Sequence, residues 1–113
     1  MISHFVPDAG DFVWLTFDPQ ASREQAGRRP ALVLSPRNYN AKSGLMLACP
    51  ITNQVKGYPF EVAVPAGCGT TGVILADHVK SVDWKARGAE RLGRSTDEVM
   101  HEVRAKLAPL LGF

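Results

Sequence analysis

The chain has 113 residues, 45% hydrophobic and 21% charged, with 13 Lys and Arg against 11 Asp and Glu. These values are those of an ordinary globular protein and exclude disorder, and the length suits one domain, 1–113, around one core. A net charge of +2 fits an anionic partner only if the basic residues are concentrated locally.

In chain order, short apolar runs broken by Gly, Pro, Asn and Asp predict strands. Asp11–Phe17 is the first. Asp18–Arg29 follows as a long polar loop, of the kind that carries function in a small domain. Ala31–Ser35 is the second strand, entered through Pro30, a residue suited to a strand's first position. A loop with Asn38, Asn40 and Gly44 leads to the third strand, Leu45–Ile51. Phe60–Val64 and Gly72–Leu75 are the fourth and fifth, and Val79–Trp84 and Arg87–Arg91 are short extended pieces. The period then changes. Ser95-Thr96-Asp97-Glu98 is a capping-box pattern with Ser95 as N-cap. Val99, Val103, Leu107 and Leu110 follow at helical spacing, and Gly112 is a stop signal. Pro109 is expected to kink this helix or end it early. The sum is a mainly β, α+β fold: a small, strongly bent antiparallel barrel with a C-terminal helix packed on it.

The longest apolar runs, such as Leu45–Cys49, are far too short to cross a bilayer. The opening Met1-Ile2-Ser3-His4-Phe5 has no charged or long apolar region of a secretory signal, so the expected location is the cytoplasm, with no membrane partner. Cys49 and Cys68 lie far apart with no His at ligand spacing and read as two reduced thiols. No metal-ligand spacing and no glycine-rich nucleotide motif is present, so neither a metal nor a cofactor is expected.

Three clusters bear chemistry. In Glu24-Gln25-Ala26-Gly27-Arg28-Arg29-Pro30, a carboxylate suited to accept a proton sits beside two guanidiniums suited to hold an anion. A solvated surface ion pair fits the same residues. Thr52, Asn53 and Gln54 end an apolar strand and offer hydrogen bonds to phosphate or base edges, or merely close a turn. Asp77, His78 and Lys80 follow another strand end; His78 suits proton transfer and Lys80 a phosphate, although exposed polar strand ends are common.

These clusters, in this order, resemble the MazF/PemK family of toxin endoribonucleases. The resemblance spans almost the whole chain. It runs from Val6-Pro7-Asp8-x-Gly10-Asp11 and Phe17-Asp18-Pro19 through Glu24-Gln25-Ala26-Gly27-x-Arg29-Pro30-Ala31 and Val33-Leu34-Ser35-Pro36. It continues through Pro50-x-Thr52, Lys56-Gly57-Tyr58-Pro59-Phe60-Glu61-Val62, Ala76-Asp77-x-Val79-Lys80-Ser81 and Ala86-Arg87-Gly88-Ala89. It implies an SH3-like, PemK-type barrel that forms a homodimer. It implies metal-independent cleavage of single-stranded RNA (mRNA) at short motifs, and neutralisation by a MazE-like antitoxin with an acidic C-terminal tail. Operator DNA would be reached only through that antitoxin. The family's catalytic positions fall on Glu24, Arg29 and Thr52. Arg28 stands where a near relative has His.

The chemistry follows from the substrate. Without a metal, the RNA's own 2′-OH is the nucleophile, which yields a 2′,3′-cyclic phosphate and a 5′-OH. Glu24 suits the base, Arg29 the charge on the phosphorane, and Thr52 a hydrogen bond to a non-bridging oxygen. Arg28, Asn53, Gln54, Lys56, Tyr58, Asp77, His78, Lys80, Lys85 and Arg87 are candidate RNA contacts, with Tyr39 and Phe60 as further stacking candidates. The alternatives are a nuclease-dead binding module and a non-enzymatic toxin that resembles the gyrase poison CcdB. Against the latter, this chain ends Leu111-Gly112-Phe113 where that relative ends Trp-Gly-Ile.

Overall fold

The computed structural model describes residues 5–16 and 27–113. Seven strands are present among them: β1 (Asp11–Thr16), β2 (Arg28–Val33), β3 (Leu45–Thr52), β4 (Glu61–Ala63), β5 (Val73–Leu75), β6 (Lys80–Asp83) and β7 (Glu90–Arg94). Helix α1 (Arg37–Ser43) lies between β2 and β3, a 3-10 turn (Ala76–His78) joins β5 to β6, and helix α2 (Asp97–Leu111) ends the chain.

All strand pairs are antiparallel, in the order β4-β5-β3-β2-β1-β7, with β6 also on β3. The eight-residue β3 makes this possible by changing partner along one edge. Leu45–Ala48 pair with β6, and Ile51 and Thr52 pair with β5. Its other edge pairs with β2. The sheet bends as expected of a mainly β fold with a C-terminal helix, but among the described residues its hydrogen-bonded path stays open.

Strand alternation builds two apolar layers. Phe12, Leu32, Cys49, Ile51 and Ile74 pack with Val99, Met100, Val103 and Leu107 of α2. Their strand neighbours Val13, Leu15, Ala31, Val33 and Ala48 face the other way and pack with Met46, Val82 and Trp84.

Several expectations are corrected. β2 begins at Arg28, not Ala31, and Pro30 sits inside it opposite Trp14. Pairing with β3 starts only at Ala31, so no strand on that side needs a donor from Pro30. β7 is Glu90–Arg94, later than the extended piece expected at Arg87–Arg91, because Arg87 and Gly88 are used in the turn after β6. The loop around Asn38 and Asn40 is largely helix α1, closed by Gly44 at φ 75°. Its one buried residue is polar: the Asn40 amide donates to the carbonyls of Pro7 and Ser35 and accepts from the Ser35 hydroxyl. Thr96, not Ser95, caps α2, its hydroxyl accepting from the Val99 N–H. Ser95 is held one step back because its N–H donates to the carbonyl of Gly10 at 2.7 Å. Pro109 neither ends nor shortens α2, which runs to Leu111 and stops at Gly112. Position 109 lies in the last turn, and the carbonyl deprived of a donor belongs to Ala105, an exposed residue.

Candidate active site

Arg28 and Arg29 are neighbours on β2 and project to opposite faces. Arg28 is turned into the protein. Its Nη1 donates to the Thr16 hydroxyl at 3.1 Å and to the Arg87 carbonyl at 3.3 Å. Its Nη2 donates to the carbonyls of Gly88 at 3.0 Å and Trp14 at 3.4 Å. The guanidinium also lies 5.8 Å from the Trp14 ring and 3.6 Å from the Glu90 carboxylate. Arg29 is exposed.

The β2–β3 register pairs Ala31 with Pro50. Extending it two positions brings Arg29 level with Thr52, and alternation puts both on the face away from α2. Thr52 ends β3 and is half-buried. Its hydroxyl oxygen accepts from the Gln54 N–H at 3.1 Å, which leaves the hydroxyl proton to be donated elsewhere. Glu24 lies outside the described residues.

Asn53 and Gln54 are exposed in the turn after Thr52. The Asn53 carboxamide oxygen accepts from the Thr71 hydroxyl at 3.1 Å, leaving its amide as a donor. Gly72 makes this approach possible: at φ 117°, a Cβ there would lie 2.4 Å from the Thr52 carbonyl oxygen. Lys56 and Tyr58 stand further along, with the ammonium 5.9 Å from the ring. The Glu61 carboxylate shapes this loop by accepting from the backbone N–H groups of Lys56 at 3.0 Å and Gly57 at 2.9 Å.

Asp77 and His78 occupy the 3-10 turn, with His78 Nε2 3.9 Å from Asp77 Oδ1. Lys80 is exposed and pairs in register with Ala48 of β3. The turn touches β3 through Cys49, whose thiol lies 3.7 Å from the Ala76 carbonyl. Burial, and then the Asp77 charge, push that thiol up to about 12, so Cys49 is a packing residue rather than a nucleophile. Arg87 is half-buried at the opposite corner and donates to the Thr16 carbonyl at 3.2 Å. Lys85 lies over the Trp84 ring at 5.5 Å.

The topology therefore gathers Arg29, Thr52, Asn53 and Gln54 at the end of β2 and β3, with Asp77, His78 and Lys80 along β3. Arg28 and Arg87 belong to a separate corner. Sequence reasoning missed Thr71, Gly72 and Glu61. The glycine-rich Gly67-Cys68-Gly69-Thr70-Thr71-Gly72 stretch was the available signal for the first two.

The described residues thus form a small, mainly β fold, a bent antiparallel sheet backed by a C-terminal helix. The model of the family described as PemK-like, MazF-like toxin of type II toxin–antitoxin system matches residues 8–111, and the chain belongs to that family. In particular, it is 51% identical over 112 residues to the endoribonuclease toxin MazF of Escherichia coli strain K12, covering 99% of this chain and 100% of that one. The crystal structure of MazF (Form-I) from Deinococcus radiodurans is 60% identical with a TM-score of 0.88, covering 96% of this chain and 99% of that one. The MazE-MazF (Form-II) structure from the same organism is 55% identical with a TM-score of 0.86, covering 96% and 98%.

Proposed function

We propose that this chain, an endoribonuclease of the MazF-like toxin family, cleaves single-stranded RNA at short motifs without a metal, through attack of the 2′-OH on the adjacent phosphate. The 2′-OH loses its proton to Glu24 as the new O–P bond forms. Arg29 stabilises the negative charge on the phosphorane, and Thr52 donates a hydrogen bond to a non-bridging oxygen. The bond to the 5′-oxygen then breaks, that oxygen takes up a proton, and a 2′,3′-cyclic phosphate and a 5′-OH remain. A guanidinium releases its proton only above roughly pH 12, so charge stabilisation is the main role of Arg29.

The observation that carries this reading is the β2–β3 register, which pairs Ala31 with Pro50 and, continued two positions beyond the paired residues, sets Arg29 level with Thr52. Asn53, Gln54, Lys56, Tyr58, Asp77, His78 and Lys80 extend from that point as RNA contacts. The gyrase-poison alternative is not favoured, because the curated relative is an endoribonuclease.

The partner is an antitoxin with an acidic C-terminal tail, by analogy with the MazE-MazF complexes; operator DNA is contacted only through it. The protein acts as a homodimer in the cytoplasm. Among the described residues, no helix is long and apolar enough to cross a membrane. An apolar groove of about 530 Å³, lined by Leu34, Leu47, Val79, Leu107, Leu111 and the 91% exposed Phe113, supports a second copy packing on this face.

Incubation of the purified protein with a long RNA in EDTA tests the activity. Discrete fragments with 5′-OH ends are expected, and none from Glu24→Ala or Arg29→Ala. Intact RNA from the unmodified protein overturns the reading. Sedimentation tests the dimer.

A further inference from the structure

We propose that Arg28 is a positioning residue for Arg29 and not a contact to RNA. The proposal rests on the reading of Arg29 as the group at the scissile phosphate. By composition, Arg28 and Arg29 are both suited to hold an anion. The structure separates them.

A guanidinium has two N–H groups on each terminal nitrogen. In Arg28 each terminal nitrogen has two protein acceptors: Thr16 and Arg87 for Nη1, Gly88 and Trp14 for Nη2. A phosphate would have to displace them. The space is shaped for this side chain: Gly88, at φ 63°, lies so close that a Cβ there would meet Arg28 Nη1 at 3.3 Å. The Trp14 ring and Glu90 complete the surround.

The bonds join three segments: β1 through Trp14 and Thr16, the turn before β7 through Arg87 and Gly88, and β2 itself. Pairing of β2 with β3 reaches only to Ala31, so among the described residues the strand ladder at the first residues of β2 is with β1. Arg28 fastens that end. Because successive strand residues point to opposite faces, fixing the side chain at 28 fixes the peptide from which Arg29 projects. Small errors in placing a group at a reacting phosphate are costly to rate and nearly silent in binding.

The test uses a short RNA with one cut site and a 2′-deoxy analogue that binds without reacting, each at several salt concentrations. For Arg28→Ala, kcat should fall about 100-fold at a temperature where the variant is folded. KM and affinity for the analogue should stay within about twofold. The slope of log affinity against log salt should not change. In an Arg29→Lys background the same substitution should cost much less, since its effect passes through Arg29. Arg28→Lys, which keeps the charge and most of the stem, should reproduce the loss of kcat, because one ammonium cannot serve four separate acceptors; it also stands in if the alanine variant does not fold.

Weaker binding with a salt slope reduced by about 0.7 would make Arg28 a phosphate contact and overturn the proposal. An unchanged kcat per folded molecule, with only a lower Tm, would overturn it as well. RNA left intact by the unmodified protein overturns the activity itself, a result distinct from either.

Discussion

The indole N–H of Trp84 donates to the carbonyl of Asn40 at 2.9 Å, tying the end of β6 to helix α1 across 44 residues of chain. Asn40 is fully buried and serves both layers of this connection, since its side chain bonds Pro7 and Ser35. Replacing it with Ala leaves those two carbonyls without their donor. Asn40→Ala should cost about 3 kcal/mol, read as a lower urea midpoint with unchanged slope.

Thr52→Val removes the hydroxyl proposed to act on the phosphate and keeps the side-chain shape. Single-turnover cleavage should slow about 100- to 1000-fold, while Thr52→Ser should retain most of the rate. Rapid cutting by the Val variant would remove Thr52 from the reaction.

Two glycines should respond to alanine by different amounts. A Cβ on Gly93 would lie 2.0 Å from the Cys68 carbonyl oxygen, a backbone atom that has nowhere to retreat. Gly93→Ala should destabilise by about 3 kcal/mol or abolish folding. Gly44, with open space around it, meets only the penalty of a positive φ, so Gly44→Ala should cost about 1 kcal/mol in the same denaturation series.

Strands β1, β3, β4 and β5 were legible because each lies in an apolar run framed by turn residues, whereas β7, with the sequence ERLGR, has no such run and was expected too early. The resemblance, read from motifs collinear along almost the whole chain, led to the right family. Helix α1 was not legible: its only buried residue is Asn40, so it has no apolar stripe to detect. The shift of the N-cap from Ser95 to Thr96 depends on a long-range bond from Ser95 to Gly10, which no local pattern encodes. The surroundings of Arg28 were not legible for a similar reason. Its four acceptors come from Trp14, Thr16, Arg87 and Gly88, and only tertiary structure brings them together.

The Cys49 thiol, raised from 9.0 to about 12 by burial and by Asp77, stays protonated in the folded protein well above neutrality. Alkylation with iodoacetamide at pH 8 should label it only after unfolding, as mass spectrometry would show. Because the folded value is raised, the associated stabilisation is complete below pH 9.0 and is lost as pH rises towards 12. The stability difference between the protein and Cys49→Ala should shrink over that interval.

Asp8 behaves in the opposite sense. The Arg37 N–H, and then that of Ala9, donate to its carboxylate at 2.9 Å and hold it below its usual 3.8, against a smaller cost of burial. The stabilisation is therefore present above pH 3.8 and lost on further acidification. Asp8→Asn should be less stable than the unmodified protein at pH 7, and the gap should narrow below pH 4, as measured by denaturant midpoints.

Because β3 is bonded to β2 on one edge and to β6 and β5 on the other, it is the strand most deeply clasped by its neighbours. Its inner amides should be the last to take up deuterium. The outermost strands β4 and β7 share no ladder with it. Fraying at either rim can thus proceed while the backbone that carries Thr52 stays stitched in place.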